Sequence, residues 1–78
     1  MDLIESSLRG HLKAITPILP DDFPSASDFQ LSGLDSLDLM EFVARIELEF
    51  QLAIPDEDLP QFISIDATAC YIKARVAA

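Results

Sequence analysis

Apolar residues recur every three or four positions in two stretches of this chain, and nowhere do they alternate with polar ones long enough to suggest a strand. That period constrains the fold most, because it puts each stretch on one face of a helix. In residues 3–16, Leu3, Ile4, Leu8, His11, Leu12 and Ile15 make one stripe. Asp2 is placed to cap this helix, with Glu5 three residues on, and Pro17 to stop it. Gly10 weakens it by about 1 kcal/mol relative to Ala. Residues 36–51 carry the strongest helical pattern. A short element follows, with Pro55 in its first turn, Asp56 to Asp58 suited to a positive helix start, and Pro60 at its end. Ser64 caps a last helix over 65–76, which has Asp66 early and Lys73 and Arg75 late. Residues 17–35 hold three prolines and Gly33 without a sustained period, and read as a long loop anchored by Phe23, Phe29 and Leu31. The fold class is all-α: a small four-helix bundle, three main helices and one short one, with a long first loop, as a single domain over residues 1–78.

Charge narrows the function. Asp plus Glu total 14 against 5 Lys plus Arg, a formal net charge of −9. Nucleic-acid phosphates and anionic membranes both call for clustered bases, so neither is an expected partner. Between Asp21 and Asp66, Arg45 is the one base among twelve acids, an acidic surface that steers basic partners. A single cysteine, Cys70, excludes a disulfide framework and is expected to be a free, inert thiol. A single histidine, His11, builds neither a metal site nor a catalytic cluster, and is expected to pack or lie partly exposed. Asp56-Glu57-Asp58 lacks the spacing of a calcium loop and reads as a solvated acidic turn, so no metal site is expected. Tyr71 and Ile72 are expected to straddle the edge of the core, one facing out. No apolar run is long enough to span a bilayer, and the start MDLIESSL does not look like a signal peptide. The expected location is cytoplasmic. The Met1 start and short tail suggest a free-standing chain, expected to act as a monomer.

On a helical wheel, Leu39, Phe42, Val43, Ile46 and Phe50 share one arc of residues 36–51, and Leu37, Met40, Ala44 and Leu48 share another, roughly opposite. One arc is the core face. The second makes this either a central helix buried on two sides or a helix with an exposed docking strip. Glu41 and Glu47 flank the strip, as charges do at an interface rim, and Met40 adapts to varied surfaces. Ser36 stands where this helix begins. By residue type its plain role is the N-cap. The same position allows a second role, since free N–H groups at a helix start stabilise a phosphate, and an exposed serine there can carry a phosphodiester-linked group. Nothing in the sequence activates Ser36, so no catalytic residue is assigned and another enzyme must act on it.

Gly33-Leu34-Asp35-Ser36-Leu37, the acidic amphipathic stretch Asp38–Phe50 and the later Ile54-Pro55-Asp56-Glu57-Asp58 together resemble the acyl carrier proteins, over essentially the whole chain. The resemblance implies a carrier whose Ser36 bears 4′-phosphopantetheine, attached by a separate phosphopantetheinyl transferase that uses coenzyme A and Mg²⁺. The terminal thiol then holds acyl intermediates as thioesters for partner enzymes, ligases or synthases with basic docking surfaces. It also implies that Asp35, Leu37, Asp38, Met40, Glu41, Ala44 and Glu47, with Leu48 of the strip, dock those partners. Phe42, Val43, Ile46, Phe50, Ile54, Leu59 and Phe62 become core or cargo-pocket residues. Three features depart from the commonest fatty-acid-synthesis pattern: Arg45 is basic, Leu48 replaces an acid, and Phe42, Leu59 and Phe62 are bulky. Added bulk in a close-packed interior leaves less room for a long acyl chain. The expected cargo is therefore short, polar or held outside, in a specialised fatty-acid or polyketide-type pathway. An aminoacyl or peptidyl carrier is the alternative within the same chemistry. A non-covalent acidic interaction module, with Ser36 a plain cap, is the alternative outside it.

Overall fold

Leu8 and Leu12 lie one turn apart and are fully buried. They draw the first helix, α1 (Leu3–Ile15), onto both other long helices, α2 (Ser36–Phe50) and α3 (Ile65–Val76). The coordinates are a computed structural model that describes residues 3–76. A short 3₁₀ helix, η1 (Asp56–Gln61), packs on α3, and no strand occurs among the described residues. The architecture is the expected all-α bundle of three main helices and one short one. A single hydrophobic cluster joins α1, the first loop, α2, the segment around η1, and α3. The Asp2 cap expected for α1 lies outside the described residues.

The long loop is held from three sides. Phe23 and Phe29 are buried, and Phe29 meets Phe42 of α2 edge to face at 5.6 Å. Arg9 donates to the Phe23 carbonyl at 2.6 Å and Lys13 to the Leu19 carbonyl at 2.7 Å, so the bases of α1 fasten the first half. The Phe29 N–H reaches the Ile63 carbonyl at 2.8 Å, and the Asp66 N–H the Ser25 carbonyl at 2.9 Å, which fastens the second half to the start of α3. Backbone groups in an irregular segment need such partners when they approach a core.

Several local expectations are corrected. Leu31 is not an anchor: it is 89% exposed, and Leu19 and Leu34 are buried instead. The Asp28 carboxylate accepts from the Gln30 and Leu31 N–H groups, which tightens the turn and leaves residue 31 at its tip. Leu3, placed in the α1 stripe, is also exposed, one residue outside the face that Ile4 and Leu8 bury. Pro55 precedes η1 as its cap, and Pro60 lies inside it. A 3₁₀ helix tolerates this, since the fixed proline φ suits its backbone. Tyr71 and Ile72 both face inward. The Tyr71 ring lies 4.9 Å from Phe62, and its hydroxyl donates to Asp58 at 2.6 Å, so η1 covers what would otherwise be an outer face. Arg75 stacks on the same ring and reaches Asp58 at 2.9 Å. Burial, then the bond to Asp58, push the Tyr71 phenol above its ordinary pKa. Ser64 caps α3 as expected, accepting from the Ala67 N–H at 3.1 Å.

Candidate functional site

The start of α2 is set by the turn before it. Gly33 has φ +101°, a conformation that strains any side chain, and Leu34 is buried. These two residues fix the frame in which Asp35, not Ser36, becomes the N-cap. The Asp35 carboxylate accepts from the Asp38 N–H at 2.9 Å, and the Asp38 carboxylate accepts in return from the Asp35 N–H at 3.4 Å, a complete capping box. The plain role read for Ser36 is thereby removed. Ser36 is the first helical residue, exposed, with no hydrogen bond to its Oγ among the described residues. Because Asp35 takes the N–H groups of Asp38 and Leu39, those of Ser36 and Leu37 are the ones left to meet an anion at the positive end of α2.

A cleft of about 500 Å³ opens beside Ser36, lined by Leu39, Met40, Val43, Leu59, Pro60 and Phe62, with Gln30 and Asp56 also on its wall. Of the seven pocket residues expected from sequence, Val43, Leu59 and Phe62 line this cleft. Phe42 and Ile46 are fully buried in the closed core, Ile54 is buried, and Phe50 is half-buried. Gln30 carried no helical or motif signal; the first loop delivers it. Leu39 sat in the core arc of the wheel, but near the start of α2 it is only half-buried and walls the cleft.

The two faces of α2 separate as the wheel divides them. Phe42, Val43 and Ile46 are buried, whereas Leu37, Met40 and Leu48 are 74%, 61% and 83% exposed and Ala44 lies exposed among them. The helix is therefore not buried on two sides. The acids around this strip are not alike. Glu47 turns back to accept from the Ile54 N–H at 2.9 Å, which ties down the segment before η1. Glu49 is bonded to both Ser7 and His11 of α1. The Ser7 hydroxyl, and after it His11, hold the Glu49 carboxyl below the ordinary range against an opposing push from partial burial. The Glu41 and Arg45 side chains have no hydrogen bond or ion pair among the described residues.

His11 is thus engaged at the far end of α2 from Ser36, about 20 Å away at 1.5 Å per residue. No histidine stands near the serine among the described residues. Asp58 is held by Tyr71 and Arg75, so the three acids of η1 do not converge, and no group of three metal-binding side chains occurs among the described residues. No described helix is long and apolar enough to cross a membrane.

A family model described as the phosphopantetheine attachment site matches residues 6–72. The mitochondrial acyl carrier protein of Neurospora crassa is 52% identical to the chain over 40 residues. That stretch takes in 51% of this chain and 30% of the relative's length.

Proposed function

The chain belongs to the phosphopantetheine-attachment family, and from that premise we propose that Ser36 bears the arm and that the exposed face of α2 docks the enzymes that use it. The protein is a carrier and not an enzyme, with a covalently attached 4′-phosphopantetheine. One observation carries the assignment to Ser36: its hydroxyl is exposed and unbonded at a helix start whose cap is supplied by its neighbour. Attachment joins the Ser36 oxygen to the pantetheine-side phosphorus of coenzyme A. It breaks the pyrophosphate bond and releases adenosine 3′,5′-bisphosphate. The hydroxyl proton goes to a base on the transferase. The Ser36 and Leu37 N–H groups would hold the phosphodiester, whose charge the helix dipole favours. The test is the intact mass after incubation with coenzyme A and a broad-specificity transferase, which should rise by one phosphopantetheine.

The arm's thiol holds acyl intermediates as thioesters, in a specialised fatty-acid or polyketide-type pathway. The cargo is short, polar or held outside the bundle. The fully buried Phe42 supports this, because it fills space in the bundle interior that an acyl chain would need. A decanoyl cargo is accordingly expected to leave the melting temperature close to that of the bare arm. A clear rise would mean the folded state binds the chain, and would sink the idea. Partners are the transferase and acyl ligases or synthases, met by a monomer over residues 1–78. We place the protein in the cytoplasm, while the Neurospora relative is named as mitochondrial.

Docking gives a contrast between two acids on one helix. Glu41→Lys is expected to lower kcat/KM for arm attachment and flatten its salt dependence while leaving the urea midpoint unchanged, since Glu41 supports nothing in the fold. Asp38→Lys should also destabilise the protein by about 1 kcal/mol, because it opens the capping box and sets a cation at the positive helix end. Equal stability losses in the two variants would contradict this division.

A further inference from the structure

The α2 helix holds four acids and one base, and the fold disposes of three of the acids. Asp38 is turned to the Asp35 N–H, Glu47 to the Ile54 N–H, and Glu49 to Ser7 and His11. They still contribute to the long-range field, but their oxygens are engaged within the molecule. Glu41 and Arg45 remain, one turn apart on the same margin of the exposed strip, with Leu48 three residues beyond Arg45. Arg45 stands four residues from Glu41 on one side and Glu49 on the other, yet pairs with neither; α1 has drawn Glu49 away.

We infer that Arg45 is a specificity contact that pairs with a carboxylate on the cargo-loading enzyme. This rests on the carrier reading above. The occupant of the strip is then an apolar groove on that enzyme whose rim carries a base facing Glu41 and an acid facing Arg45. The reason is desolvation. Covering Leu48 and Ala44 strips water from Arg45, which is half-buried beside them. Without a carboxylate to replace that water, the charge opposes binding, and a rim of bases alone would add repulsion. The net charge of −9 steers a basic enzyme from a distance, and Arg45 then selects among the basic enzymes that arrive.

The test uses the arm-bearing protein, with the arm verified by intact mass before loading. Cargo loading by a clarified extract of the native host is then followed by mass. Arg45→Glu is expected to load at least about tenfold more slowly than wild type, with Arg45→Gln between them. Arg45→Gln keeps much of the side-chain stem and adds no charge, so it guards against a loss of folding. A rim made only of bases predicts the opposite sign, faster loading of Arg45→Glu. Equal or faster loading of that variant would overturn the proposal. Failure of the wild type to gain the arm would overturn the carrier reading, and this proposal with it.

Discussion

Ser36→Ala is expected to abolish the gain of one phosphopantetheine while leaving the fold as it was. The two halves of that expectation have separate causes. Chemistry is lost because the attacking oxygen is removed, and no other described hydroxyl stands at the start of α2. Ser32 donates to the Asp28 carbonyl, Ser64 caps α3, Ser7 is bound to Glu49, and Thr68 is buried and bonded to the Ser64 carbonyl. The fold is kept because the Ser36 oxygen has no partner to lose and Asp35 carries the cap. Alanine at the first helical position should change stability by less than about 0.5 kcal/mol, as exposed substitutions commonly do. Intact mass reads the first half and a urea titration the second. A variant that still gained the arm would move the attachment site elsewhere. One that lost the arm and unfolded would leave Ser36 with a structural role that the geometry does not give it.

Phe42→Ala should cost about 3–5 kcal/mol in a urea titration, and Leu48→Ala less than about 0.5 kcal/mol, although both remove large apolar side chains from the same helix. Phe42 is fully buried and meets the Phe29 ring edge to face, so its removal leaves a cavity where the first loop joins the bundle. Leu48 is 83% exposed and loses almost nothing. Phe50→Ala should fall between them, because Phe50 is half-buried. For a domain of 78 residues, total stability is about 4–12 kcal/mol, so Phe42→Ala removes a large share of it. Similar midpoints for Phe42→Ala and Leu48→Ala would mean the two faces of α2 are wrongly assigned.

The faces were readable in the sequence because a helix repeats locally. Residues three and four apart share a side wherever the helix lies, so Phe42, Val43 and Ile46 could be separated from Leu37, Met40 and Leu48 without coordinates. Residue type and neighbouring turn signals also located Ser36 at a helix start. The cap was misplaced by one residue, because Asp35 and Ser36 are adjacent and equally suited to it. The Gly33 turn and the burial of Leu34 decide between them. Leu31 was misread because an isolated apolar residue in a loop carries no period, and the turn built on Asp28 decides which way it faces.

The amino-acid order alone therefore determined the helices, their two-sided pattern, the acidic field and the serine at the helix start. Each follows from near neighbours or from composition. The tertiary structure decided which charges remain available and what stands beside Ser36. Glu49 is taken by groups 38 and 42 residues away, Glu47 by the segment leading into η1, and Gln30 reaches the cleft only because the long loop closes over the core. Pairings across such distances depend on how loops close and helices pack, and no local spacing encodes them.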